Sequence, residues 1–158
     1  MRKGMLLAAL LLAAGMASAS DARVDVSNGV SFADQKQKIL LQLADGESYS
    51  EISKDDRGKV LAALGRMQDI LDAGGLDASV ATVTAQQRLD LLNDQELVNN
   101  ILTQAGEDSR MVCRREAPVG TRLARTQCLT VAARRRQREE AQRNMDAQSR
   151  GMEGVFTR

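Results

Sequence analysis

Two cysteines constrain this chain more than any other feature, because they sit symmetrically about one dipeptide. Cys113 lies seven residues before Gly120, and Cys128 lies seven residues after Thr121. Facing residues of an antiparallel ribbon keep a constant positional sum, so a two-residue turn at Gly120-Thr121 sets the cysteines directly opposite one another. Gly at the first central position suits a type II′ turn, where φ is positive and a Cβ would be strained. The same register puts Glu116 across from Arg125, a favourable charge pair, and Pro118 across from Leu123 in a pair that exchanges no backbone hydrogen bonds. A type I turn over Ala117-Pro118-Val119-Gly120 has suitable chemistry too, but it pairs Cys113 with Ala124 and leaves Cys128 beyond its partner strand. The expectation is therefore a hairpin tied by a Cys113–Cys128 disulfide, a loop closure that stabilises by about 3 kcal/mol in the chain-entropy model.

A lasting disulfide needs an oxidising compartment, and the N-terminus points to one. Arg2 and Lys3 precede an uncharged, largely apolar stretch from Gly4 to Ala19 that ends in the small-residue site Ala17-Ser18-Ala19. That is the pattern of a secretory signal. A membrane span needs about 18 apolar residues, and this stretch has 16. Residues 1–19 are thus read as a signal peptide, with a periplasmic or secreted product and no transmembrane segment after its removal. Ser20 follows the cleavage site, so lipid attachment to a new N-terminal cysteine is not supported.

Charge divides the remainder. Residues 20–109 carry 8 basic and 16 acidic side chains, whereas 110–158 carry 12 and 5, every basic one of these an arginine. The reading is an acidic helical segment over 20–109 and a disulfide hairpin with an Arg-rich helix over 110–158, either in the same domain or as an appended arm. Residues 20–30 show little periodicity and read as a loose leader. Ser31 can cap a helix from about Phe32 to Ala44, with Ile39, Leu40 and Leu43 on one stripe and Gly46 just past its end. Ser53 and Asp56 resemble a capping arrangement ahead of Val60, Leu64, Met67 and Leu71, and Gly74-Gly75 stops that helix. Thr84 and Gln87 form a Thr-x-x-Gln capping box, opening a segment in which Leu89, Leu92, Ile101, Leu102 and Ala105 can share a face before Gly106. Asn93-Asp94 offers a break within it, leaving one helix or two. Thr130 can cap a last helix, with Glu139 and Arg143 spaced to pair and a thin apolar stripe at Ala141 and Met145. The fold class expected is mainly α: a small helical bundle, a disulfide-tied β-hairpin and a charged C-terminal helix.

Composition excludes much chemistry. The chain has no His and no Trp, and its aromatics are only Phe32, Tyr49 and Phe156. Without His there is no Ser-His-Asp triad, no Cys-His pair and no His-ligated metal or haem. Two thiolates 15 positions apart, without CxxC spacing, make neither a zinc site nor a redox pair of the usual kind. Asp55-Asp56 and Glu139-Glu140 are adjacent, so a helix points each pair about 100° apart rather than at one site. Gly74-Gly75 lacks the Gly-Lys-Ser/Thr pattern of a phosphate loop. No catalytic, metal or cofactor-binding residue is assigned, no cofactor is expected, and the chain is read as a non-enzyme.

The segments Tyr49-Ser50-Glu51-Ile52-Ser53, Asn93 to Asn99, and Asp108-Ser109-Arg110-Met111-Val112-Cys113-Arg114-Arg115-Glu116, followed by Val119-Gly120-Thr121 and Thr126-Gln127-Cys128, carry a resemblance. The chain resembles a family of short exported proteobacterial proteins with no established activity. The resemblance spans most of the mature chain and implies export, but no catalytic residue. Thr121 stands where such relatives would as readily carry Ser, which leaves the Gly-first turn intact.

The leading functional reading is a non-enzymatic structural or interaction protein of the cell envelope, with Arg110, Arg114, Arg115, Arg122 and Arg125 as candidate contacts for a protein partner. Arginine suits this because its planar fork grips carboxylates and phosphates at two points. The bland alternative is that these arginines pair with the acids of the first block. Polyanion binding, to nucleic acid or an anionic envelope surface, is a further reading, disfavoured because no aromatic lies between Tyr49 and Phe156 to stack on bases. Asp94, Gln95 and Asn99 form a candidate polar cluster, expected to cap its segment, to bond to Asp108-Ser109-Arg110, or to take a ligand.

Overall fold

A computed structural model describes residues 23–27, 30–74, 82–117, 120 and 122–156, the last six as backbone only. The expected signal, Pro118 and Thr121 therefore lie outside the described residues. The elements run α1 (Phe32–Ala44), α2 (Lys54–Ala73), α3 (Ala85–Ser109), β1 (Met111–Glu116), β2 (Arg125–Thr130) and α4 (Val131–Phe156).

Helix α1 has the expected bounds, and its stripe is Gln35, Ile39 and Leu43. Leu40 is exposed. Ser31 occupies the N-cap position but makes no side-chain capping bond. Helix α2 starts as its sequence requires: Ser53 Oγ accepts from the Asp56 amide at 3.0 Å, satisfying one of the open donors of a first turn. Val60, Leu64 and Met67 are then fully buried, and Leu71 packs at the margin of the core.

Helix α3 opens with the complete Thr84–Gln87 capping box and continues unbroken through Asn93-Asp94 and Gly106 to Ser109. Its buried face is Leu91, Asp94, Val98, Leu102 and Ala105, while Leu89 and Leu92 are exposed. The expected stripe was rotated because Asp94 occupies a core-facing position. A hydrophobic-only count skips it and settles on the wrong leucines. Helices α2 and α3 form the main pair of the bundle, and α1 closes over them through Ile39 and Leu43. Burying a side chain such as Leu64 stabilises by about 1.5–3 kcal/mol relative to exposure, and the core is built from aliphatic residues and Met67, with Tyr49 its buried aromatic among the described residues.

Strands β1 and β2 pair antiparallel with Cys113 facing Cys128 and Glu116 facing Arg125, and the disulfide is formed with Cα atoms 3.9 Å apart. The ladder ends at Glu116–Arg125, short of the turn, where Gly120 has φ +85° as a Gly-first turn requires. Thr130 then caps α4, its Oγ1 accepting from the Ala133 amide at 3.0 Å. Ala132 is the buried anchor of α4. Every described residue from Arg135 to Arg150 is exposed, and the helix runs about 36 Å from Ala132 to its end at Phe156, at 1.5 Å per residue. Among the described residues no helix is long and apolar enough to cross a membrane.

Residues 23–27 are not a loose leader. They form a strap, turning at Val26–Ser27, whose Val24 is fully buried and whose Val26 packs against the core.

Candidate interaction site

The hairpin joins the body directly after α3. The Val131 amide donates to Arg110 O at 3.0 Å, closing the base of the ribbon. Three consecutive arginines in the first two turns of α4 then fasten the arm, each to a different carboxylate. Arg134 donates to Glu116 Oε1 at 3.0 Å and to Val112 O at 3.3 Å, holding β1 against the helix. Its buried Nε has no hydrogen-bond partner among the described residues. Arg135 grips Asp108 at the end of α3 with two bonds of 3.0 and 3.1 Å. Arg136 grips Glu51 in the loop before α2 at 2.8 and 3.3 Å, and Thr130 Oγ1 donates to the same carboxylate. The Arg136 and Thr130 donors hold the Glu51 carboxyl below the usual carboxylate range. The Arg135 guanidinium does the same for Asp108, helped by a side-chain bond from Gln104.

Of the five candidate contact arginines, Arg110 is engaged, with Nε 3.3 Å from the exposed Glu107 carboxylate. Arg114, Arg115, Arg122 and Arg125 are exposed and make no ion pair among the described residues. Arg125 faces Glu116 in the ladder, but Glu116 is taken by Arg134 instead. Strand alternation sorts the free set. Arg115 shares the face of the disulfide, Arg114 and Arg125 share the opposite face with Val112 and Leu129, and Arg122 lies in the loop. Val112 and Leu129 are half-buried, on the face whose Glu116 is held by Arg134 of α4. Disulfide and ladder fix the spacing of these cations, so a carboxylate-bearing surface meets them with little rearrangement of backbone.

The polar cluster separates on the structure. Asp94 turns to α2, where Arg66 Nε donates to Oδ2 at 3.0 Å and Nη2 to Oδ1. Gln95 and Asn99 turn to the strap rather than to Asp108-Ser109-Arg110. Gln95 Oε1 accepts from the Val26 amide at 2.9 Å, and Asn99 both accepts from the Val24 amide and donates to Val24 O, each at 2.8 Å. Ser109 Oγ meanwhile accepts from the Glu51 amide at 2.9 Å. Sequence reasoning missed Gln35, which takes both backbone groups of Asp25. Its signal was present: a Gln four positions ahead of Ile39 on the apolar stripe of α1, a place that demands a buried polar partner.

The described residues contain no group of three or more His, Cys, Asp or Glu able to hold a metal ion. No protein-family model, no curated protein and no solved structure matches this chain.

Proposed function

We propose that this is an exported, non-enzymatic interaction protein of the cell envelope, in which a helical body presents the arginine hairpin to an acidic surface of a partner protein. The observation that carries the reading is the sorting of arginines. Arg135 and Arg136 are consumed by carboxylates of the body and Arg134 by Glu116, whereas Arg114, Arg115, Arg122 and Arg125 are exposed and make no ion pair among the described residues, on a hairpin tied by the disulfide. The disulfide and the lack of a membrane-spanning helix among the described residues are compatible with export as a soluble chain. Guanidinium groups suit such a contact because they lose less hydration than ammonium and grip carboxylates at two points.

Crosslinking and affinity capture of the natively exported protein, compared with a variant carrying Arg114→Glu, Arg115→Glu, Arg122→Glu and Arg125→Glu, test the reading. The wild type is expected to retain an acidic partner that the variant loses, with capture weakening as salt rises. An identical set of partners for both proteins would remove the hairpin from the account. Retention of heparin or nucleic acid with a steep salt dependence, and of no protein, would favour the polyanion reading instead.

A further inference from the structure

We propose that the open edge of β1 takes up an extended acidic segment of another polypeptide as a third strand of the ribbon. This rests on the reading of the hairpin as an interaction surface, and names the form its partner has. Successive pairs of an antiparallel ladder alternate between those that exchange backbone hydrogen bonds, with Cα atoms about 5.5 Å apart, and closer ones, about 4.5 Å apart, that do not. Two observations fix the phase here. The Cα atoms of Cys113 and Cys128 are 3.9 Å apart, so theirs is a close pair. The Val131 amide bonds to Arg110 O at 3.0 Å, so Arg110 and Val131, which continue the same register, are an exchanging pair. Both assign the bonds to β2 to the even-numbered residues of β1. Met111, Cys113 and Arg115 therefore turn their N–H and C=O groups away from β2. All three residues are exposed, and outside the ladder their main-chain groups make no hydrogen bond among the described residues.

An unpaired edge is a template for a further strand, and its side chains decide which strand is accepted. Arg114 lies on one face of the ribbon and Arg115 on the other, and neither makes an ion pair among the described residues. A second copy of the arm is repelled, since residues 110–158 carry 12 basic and 5 acidic side chains. An incoming strand with two consecutive acidic residues answers both arginines at once, because neighbouring side chains of a strand point to opposite faces as Arg114 and Arg115 do. When that strand runs antiparallel to β1, its next three residues stand opposite Cys113, Val112 and Met111, places that suit one small residue and two aliphatic ones. The ligand implied is therefore an extended segment reading acidic, acidic, small, aliphatic, aliphatic. The outer edge of β2 suits it less. That strand carries one arginine, Arg125, and ends at Thr130, whose hydroxyl is held by Glu51 and the Ala133 amide.

The test uses the oxidised wild-type chain and a fluorescent peptide of sequence Thr-Glu-Glu-Ser-Val-Val-Thr, whose two glutamates stand opposite Arg115 and Arg114. A methyl group on the serine nitrogen, which faces β1, is expected to weaken binding about tenfold or more. The same group on the nitrogen of the following valine, which faces away, changes binding less than about twofold. Replacing both glutamates of the peptide by glutamine, which leaves the protein unaltered, weakens binding about tenfold or more at low salt, as does Arg114→Glu with Arg115→Glu in the protein. Excess peptide also slows amide exchange at Cys113 and Arg115, and leaves the Val112 and Arg114 amides, already bonded in the ladder, as they were. Binding that needs the glutamates but ignores the place of the methyl group overturns the strand proposal, and leaves the hairpin as a cationic contact surface. Binding that ignores both charge changes overturns the proposal together with the reading it rests on. Absence of binding overturns the proposal alone, and partner capture with the four-arginine variant then decides the wider reading. A dimer of the wild type that excess peptide does not dissociate gives the edge to a second copy, and overturns the proposal as well.

Discussion

The helical body and the arm that follows it are held by opposite means. The body buries a continuous set of aliphatic side chains across α1, α2 and α3. The arm buries Ala132 and half-buries Val112, Ala124, Leu129, Val131 and Ala133, a small apolar contact beside the core of the body. It relies on one disulfide and on three arginines that reach three acceptors. Within the arm the arginines divide again by reach. Arg135 and Arg136 stand beside body carboxylates, and Arg134 beside Glu116, and all three are paired. Arg114, Arg115, Arg122 and Arg125 are exposed and make no ion pair among the described residues. Residue type is the same throughout, so a carboxylate within reach, on the body or on the ribbon itself, decides whether an arginine fastens the molecule.

The largest expected effect falls on the body. Leu64→Ala removes a fully buried side chain from the α2–α3 interface, at a cost of about 2–5 kcal/mol. That is a large share of the 5–15 kcal/mol or so that holds a typical domain. Urea unfolding followed by circular dichroism measures it, and a loss under about 1 kcal/mol would mean the interface collapses around the cavity. Replacing the disulfide by Cys113→Ser and Cys128→Ser is next, at about 3 kcal/mol, and the loss is expected in the arm alone. Amide exchange at Val112 and Leu129 should then accelerate, with exchange at Leu64 unaltered. Equal acceleration at both places would break the comparison, because it would make arm and body a single cooperative unit.

The division of labour was partly legible in the sequence. Local rules located the helix starts that rest on a side-chain cap, Ser53, Thr84 and Thr130, because such caps depend only on residues three positions away. The Cys113–Cys128 register was legible because turn symmetry and ribbon geometry act over a few residues. What failed was non-local. The face of α3 was misread because buried Asp94 is matched by Arg66, 28 positions away, and no period counts a salt-bridged acid as core. The strap went unseen because Val24 and Val26 find their partners 75 and 69 positions away. The free arginines were named as candidates, but only the positions of Glu51, Asp108 and Glu116 show which arginines the molecule keeps for itself.

A smaller effect tests the fastening of the arm. Glu51→Gln removes the charge that holds Arg136 and weakens the bond from Thr130, and about 1 kcal/mol of arm attachment goes with it, since the Arg136 guanidinium is solvent-exposed. The Glu51 carboxyl titrates below its ordinary value when folded. Its contribution is therefore whole at neutral pH and above the unfolded pKa, and disappears as pH falls through the lower, folded pKa. Asp108, held by Arg135, follows the same direction. Exchange at Ala132 and Ala133, compared between wild type and variant, should differ near neutrality and converge in acid. A difference that persisted in acid would assign the attachment to packing rather than charge.

The smallest expected change is the sharpest test of the division among arginines. Arg114→Ala with Arg115→Ala removes two exposed cations that bond to nothing among the described residues, so stability should stay within about 0.5 kcal/mol of wild type. Arg136→Ala, also exposed on its surface but bound to Glu51, should weaken arm attachment, and the more so at low salt. Removing Arg114 and Arg115 also lowers the mutual repulsion of the ribbon's cations, which all carry the same sign, so a slight gain is the expected direction at low salt, fading as salt is added. Urea titrations at two ionic strengths separate the cases. A loss above about 1 kcal/mol for the hairpin pair would show that these side chains pack or pair within the molecule, and would return them to the structural role of Arg134, Arg135 and Arg136. A neutral or slightly positive result leaves them with no intramolecular work, and ties any binding defect of the same variant to the contact itself.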